Sequence, residues 1–321
     1  MSSNEFEASH PINWICPNCS NKLPNWAFDT QTCSACGVVY TRRNRIYYFV
    51  LATRLAELQP FLSQYRHIRE QDGYRLRPSG YYRALPATDD RDPQAAVWRV
   101  RRASFHHLQR WMQSQFANRS ITILDLGAGN GWLSHCLTAR GHGCVAVDLN
   151  DDAEDGLGAQ VHYPASFLCV QADYDCLPFA PGQFDLVVFN ASLHYSTNIL
   201  ATLQHACRLL LPGGALAIMD SPVFKTEAAG RQMRAEMVTS FKTRCQGSTV
   251  LHQGMGFLTL AGLTEIAKAL DIDSQFFYSS GGLLWDIQRF VAGLKLRREP
   301  ANFGIWIGRR SQSAHSGGLR Q

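Results

Sequence analysis

The chain has 321 residues, 45% of them hydrophobic and 18% charged, enough for one large domain or two modest ones with a full core, and it is neither disordered nor fibrous in composition. No run reaches the roughly 18 apolar residues of a membrane span, and the polar, acidic start lacks a secretory pattern, so a cytoplasmic protein without membrane association is expected. The net charge of +5 is unevenly placed: residues 41–119 carry fifteen arginines against six acids, and residues 120–220 carry two basic groups against ten acids.

Residues 1–50 form the first expected unit, a small zinc-ribbon module. Cys16-Pro-Asn-Cys19 and Cys33-Ser-Ala-Cys36 are two CxxC pairs with thirteen residues between the inner cysteines. Each pair can present two thiolates on one tight knuckle, and two knuckles complete a tetrahedron around zinc. Gly37 supplies the backbone freedom such a knuckle uses. An iron–sulfur cluster takes similar ligands, whereas a thioredoxin-type redox pair would need a βαβ setting that this segment lacks. Four thiolates leave no open coordination position, so one structural Zn2+ per chain is expected.

Residues 51–119 read as a helical, Arg-rich linker or cap, broken by the Pro/Gly/Tyr-rich stretch Pro78 to Pro93. The planar fork of Arg suits phosphate and carboxylate, so the stretch is either an anion-binding surface or a set of solvated helix faces. Arg99, Arg101 and Arg102 lie one helix before the first strand of the next unit, where one of them could grip a ligand carboxylate. Tyr81, Tyr82 and Arg83 could close over the same pocket.

Residues 120–308 form the third unit. Its short apolar runs are ITILDLG (121–127), CVAVDL (144–149), FLCVQAD (167–173), FDLVVFN (184–190) and ALAIMD (215–220). Each has the length of a buried strand, and helical patterns separate most of them. Alternation of this kind predicts a parallel sheet covered on both faces, with ligands bound beyond the carboxyl ends of the strands. The loop Asp125-Leu-Gly-Ala-Gly-Asn-Gly131 joins strand to helix, and its GxGxG spacing differs from the GxGxxG of nicotinamide sites. Asp125 at its start would repel a pyrophosphate, which favours a cationic or zwitterionic ligand. Asp148 ends the second strand, where a carboxylate can accept both hydroxyls of a ribose, and Asp173 ends the third, within reach of an adenine amino group.

These segments, with Pro212-Gly-Gly214, resemble the class I S-adenosylmethionine-dependent methyltransferases over about a hundred residues. The resemblance implies a Rossmann-like seven-stranded α/β sheet with helices on both faces, preceded by the ribbon and the helical segment. It implies S-adenosyl-L-methionine as cofactor. Asp125, Gly127, Ala128 and Gly129 would line its methionine and ribose portion. Asp148 and Leu149 would hold the ribose, Asp173 and Tyr174 the adenine, and Asn190 would border the reacting end.

The loop Asn190-Ala-Ser-Leu-His-Tyr195 departs from the NPPY pattern of amino-methylating enzymes. His194 is the candidate general base, with Tyr195 and Asn190 as positioning groups. A small-molecule acceptor is expected. The alternative is an rRNA or tRNA substrate docked through the ribbon and the Arg-rich stretch, since ribbon-bearing chains resemble rRNA guanine methyltransferases and small activator proteins of translation-related methyltransferases. A protein partner at the ribbon is a further expectation. Residues 224–270 are expected to cap the substrate, with Gly247, Gly254 and Gly256 giving a mobile loop. Two further strands are expected at Gln275 to Ser279 and Phe303 to Gly308, around a helix whose Leu283, Leu284, Ile287, Val291 and Leu294 read as core. Residues 309–321 read as a disordered tail.

Overall fold

The computed structural model describes residues 10–117, 119–164, 166–245 and 254–310. Gly247 and most of the expected tail lie outside these residues. Ten strands form one mixed sheet. In chain order they are β1 (Thr30–Thr32), β2 (Val39–Arg43), β3 (Ile46–Tyr48), β4 (Thr122–Leu126), β5 (Gly143–Asp148), β6 (Leu168–Gln171), β7 (Phe184–Asn190), β8 (Leu210–Met219), β11 (Ile272–Tyr278) and β12 (Gly304–Arg310); β9 (Val223–Phe224) and β10 (Leu258–Thr259) pair separately. The spatial order is β1-β2-β3-β6-β5-β4-β7-β8-β12-β11. Strands β6, β5, β4, β7 and β8 run parallel, while β12 is antiparallel to both β8 and β11.

The sheet therefore has ten strands where seven were expected. The physical reason is an open edge: β3 pairs in parallel with β6, Ile46 opposite Cys169, so the cysteine-bearing hairpin completes a backbone ladder that β6 would otherwise leave unpaired. Side chains seal this junction. Trp14 stacks on Tyr47 and Phe49, each 5.3 Å away, and meets Phe179 at 5.5 Å, while Trp26 packs edge-on to Tyr47. Residues 12–49 thus share their core with the sheet.

Alternation along the strands builds two cores. Leu124, Val145, Val170, Val187 and Leu216 face one side, and Ile123, Ala146, Cys169, Val188 and Ala217 face the other. Helix Ile199–Leu209 covers the first face, and helices Ala95–Phe116 and Trp132–Thr138 cover the second. Strand β12 extends through Arg309 to Arg310, so the chain is still in the sheet where the tail was expected to begin.

The two oppositely charged stretches meet in space. Arg54 pairs with Asp173 at 3.1 Å, Arg66 with Asp151 at 3.6 Å, Arg75 with Asp152 at 2.7 Å and Arg119 with Asp185 at 2.7 Å. Arg69 makes a two-pronged contact with Asp155, at 2.5 and 2.8 Å. Five of the fifteen arginines of residues 41–119 are thus paired with acids of residues 120–220, which weakens the charge argument for an RNA-docking surface. Most of these pairs are partly exposed and contribute little each. The Arg69–Asp155 pair differs, because Asp155 is only 3% exposed and Arg69 16%. Replacing Arg69 by Met leaves a buried carboxylate unpaired and is expected to cost about 3–5 kcal/mol of folding stability. Chemical denaturation of the variant checks this, and a loss below about 1 kcal/mol, the scale of exposed pairs, would refute it.

Candidate active site and cysteine cluster

The glycine loop sits at the carboxyl end of β4. Gly127 and Ala128 donate backbone N–H bonds to the carbonyl of Val147, at 2.8 and 3.0 Å, which ties the loop to the end of β5. Gly127 has φ +76°, and a Cβ there would lie 2.2 Å from the Cβ of Ser192, so glycine is required by both conformation and space. Asn130 accepts from the N–H of Trp132 at 3.2 Å and starts the following helix.

One cavity opens above this loop. Its walls include Gly127, Ala128, Gly129, Asn130, Asp148, Leu149, Tyr174, Asn190 and Tyr195. Asp148 accepts the N–H of Gly129 on one oxygen and the N–H of Asn150 on the other, each at 2.8 Å. Burial pushes its carboxyl up to about 6, partly offset by those backbone donors. Asn190 Oδ1 is buried with no hydrogen-bond partner, so the site offers an unused acceptor as well as a held carboxylate.

Three expected residues do not line the cavity. Asp125 is fully buried beneath the loop, where it accepts from Ser134 Oγ at 2.8 Å, and burial pushes it up to about 7. Asp173 turns outward to Arg54. His194 lies behind the wall: its Nδ1 is 3.1 Å from Ser221 Oγ, and its ring leans on Tyr195 at 4.3 Å. Among the described residues of the expected 224–270 cap, none lines the cavity either. They back the 190–195 loop instead, with Gly256 donating to the carbonyl of His194 at 3.0 Å.

The cover comes from the N-terminal side. Helix Ala52–Gln71 lays Phe61, Leu62, Tyr65 and Arg69 over the cavity. Phe61, Tyr65 and Tyr195 form one aromatic cluster with ring centroids 6.1–6.5 Å apart. Of the three arginines in the next long helix, Arg101 reaches the cavity, while Arg99 pairs with Asp90. Tyr81 and Tyr82 lie elsewhere, Tyr81 accepting from Trp98 Nε1 and Tyr82 stacked on His162. Phe61, Tyr65, Arg69 and Asp155 escaped the sequence reading. The one signal for them was the acid cluster Asp151-Asp-Ala-Glu-Asp155, which follows the second strand and faces the Arg-rich helix.

The four cysteines converge beside the turn that joins β1 to β2, at the edge of the sheet. Their Sγ atoms all lie within 4.8 Å of one another, with Cys16–Cys36 and Cys19–Cys33 at 3.6 Å. A tetrahedral site with Zn–S bonds of about 2.3 Å sets its sulfurs roughly 3.8 Å apart, so this donor set fits zinc. The two knuckles have the same build. Ser20 donates to the carbonyl of Cys16 at 2.8 Å and Gly37 to that of Cys33 at 2.9 Å, both with positive φ.

The glycine loop, the carboxylate at the end of β5 and the strand order define a Rossmann-like, nucleoside-binding α/β protein. Residues 124–218 match a family model described as a methyltransferase domain. A malonyl-[acyl-carrier protein] O-methyltransferase of Erwinia pyrifoliae is 26% identical over 198 residues, 56% of this chain and 71% of that protein. A demethylmenaquinone methyltransferase of Corynebacterium urealyticum is 36% identical over 98 residues, 30% of this chain and 40% of that protein. Among solved structures, magnesium protoporphyrin IX methyltransferase from Synechocystis PCC 6803 has a TM-score of 0.49 at 15% identity, covering 81% of this chain and 99% of that one. Residues 124–218 are thus a methyltransferase domain, and the chain is an enzyme, an S-adenosylmethionine-dependent methyltransferase. Among the described residues no helix is long and apolar enough to cross a membrane.

Proposed function

We propose that the chain transfers the methyl group of S-adenosylmethionine, by in-line displacement, to a small-molecule acceptor bound under the Ala52–Gln71 helix. One observation carries this reading: Asp148, pre-oriented by two backbone donors, shares a single cavity with the glycine loop, and that cavity is roofed by aromatic side chains. Asp148 accepts the ribose hydroxyls. Gly127, Ala128 and Gly129 let the backbone approach the methionine portion closely, and Arg101 holds its carboxylate. Tyr174 borders the adenine. Asn190 and Tyr195 border the reacting end, and the Phe61–Tyr65 face excludes water from it. The cofactor supplies the electrophilic methyl on its sulfonium.

The names of the relatives support a small methyl-accepting group, a malonyl group carried on an acyl-carrier protein in one case and demethylmenaquinone or a ubiquinone/menaquinone biosynthesis compound in the others. In this arrangement His194 acts through Tyr195, as a positioning residue. His194→Ala is therefore expected to leave the single-turnover rate within about tenfold, whereas a loss of about 100-fold or more would make it the general base. The cysteine tetrad holds one structural zinc and fixes the hairpin on the sheet edge. Transfer from methyl-labelled S-adenosylmethionine into fractionated extract tests the reading as a whole. Label confined to the small-molecule fraction is expected, and label in ribonuclease-sensitive material would overturn it.

A further inference from the structure

The helix Leu283–Leu296, read from its sequence as core, has no buried residue. Leu283, Leu284, Ile287, Phe290, Val291 and Leu294 are between 41% and 78% exposed. Their spacing places all six on one stripe of the helix. The opposite face is seated on the protein: Trp285 packs on Phe303, and Arg289 lies over the Trp285 ring and donates to the carbonyl of Ala301. The apolar stripe therefore points outward by construction, because the amphipathic order is the reverse of a core helix.

Its place in the fold is informative. Strand β12 is antiparallel to both β8 and β11, so β11 runs parallel to β8 and ends at Tyr278 on the sheet edge that holds the cavity. Tyr278 is itself 56% exposed. Ser279, the next residue, is bonded to Ser104, which also donates to Asp220 at the end of β8. The exposed helix thus leaves the catalytic edge directly.

The size of the stripe and its charges select the occupant. Fourteen residues span about 21 Å, so a stripe about 10 Å wide offers roughly 200 Å2. A stable protein interface needs about 800 Å2 per partner, with matched shape. A lipid surface needs neither, and apolar side chains flanked by cations are what it binds. Lys295 and Arg297 are exposed at the C-terminal end and make no ion pair among the described residues, while Asp286 is engaged by Ser280 and Arg289. We propose that this helix docks on an anionic lipid surface, apolar stripe inward, and brings the catalytic edge of the sheet to that surface.

Flotation of the full chain with phosphatidylglycerol-containing vesicles, against phosphatidylcholine vesicles alone, tests this. Binding to the anionic vesicles that weakens with added salt is expected. Ile287→Asp combined with Phe290→Asp should weaken partitioning onto the vesicles about 100-fold or more, since each of the two buried apolar side chains is worth about a factor of ten. Both positions are exposed, and cofactor binding measured on the same variant should be unchanged. Wild type that stays in solution, or a variant that floats equally well, overturns the proposal. So does a wild-type dimer, seen by light scattering, that the double variant converts to monomer without any vesicle binding.

Discussion

Asp148→Asn is expected to weaken S-adenosylmethionine binding roughly 100-fold or more, because two charge-assisted hydrogen bonds from the ribose are each worth about 1.5–3 kcal/mol. The amide keeps the size of the side chain but presents one acceptor in place of two and carries no charge. Titration calorimetry reads the change directly, and a loss under tenfold would remove Asp148 from the ribose site. The wild-type site should also respond to pH. Burial holds the Asp148 carboxyl at about 6, so affinity should fall as the pH drops through that value and the carboxyl takes up a proton. Stability of the ligand-free protein moves the opposite way. A carboxyl whose folded value is raised binds a proton on folding, so its contribution is full below the unfolded value of about 4 and declines as pH rises to the folded one. Asp125, at about 7, and Asp220, at about 6, are pushed up by burial and act in the same direction. The contribution of these three groups therefore falls from about pH 4 to 7, and Asp148→Asn should flatten its share of that slope.

Removing cysteines of the tetrad proposed to hold zinc is expected to have the larger effect on the fold. Cys19→Ser combined with Cys33→Ser takes one thiolate from each knuckle and should abolish stoichiometric zinc. Structural zinc contributes about 10–16 kcal/mol in isolated zinc-finger peptides. Here the Trp14–Tyr47–Phe49 stack also holds the hairpin, so the loss should be several kcal/mol and not the whole amount. The consequences reach beyond the hairpin, because β3 covers the edge of β6. Amide exchange should rise along Leu168–Gln171 in the variant. Wild-type protein isolated with no bound zinc, or with iron and visible charge-transfer absorption, would refute the assignment.

What could be read in the sequence was what neighbouring residues decide together. The two CxxC knuckles, the GxGxG loop and the carboxylate at the end of β5 each depend on a few consecutive residues. Their backbone requirements, a positive φ at Gly37 and at Gly127, are written into glycine itself. Strand alternation was legible for the same reason. Periodicity, however, reports that a residue has a face and not what the face meets. The same apolar spacing that buries helix Ile199–Leu209 leaves Leu283–Leu296 exposed.

The tertiary structure decided the rest, because it rests on pairing between distant segments. The Arg-rich stretch looked like an anion-binding surface until Arg54, Arg66, Arg69, Arg75 and Arg119 met the acids of residues 151–185. That pairing lays helix Ala52–Gln71 over the cavity, and the packing of the following helix brings Arg101 to it while Arg99 pairs with Asp90. The ten-stranded sheet has the same origin, an open β6 edge that no local pattern announces. A charge count along the chain has no geometry until folding supplies the partner, since a Coulomb interaction depends on the distance between groups and not on their separation in sequence.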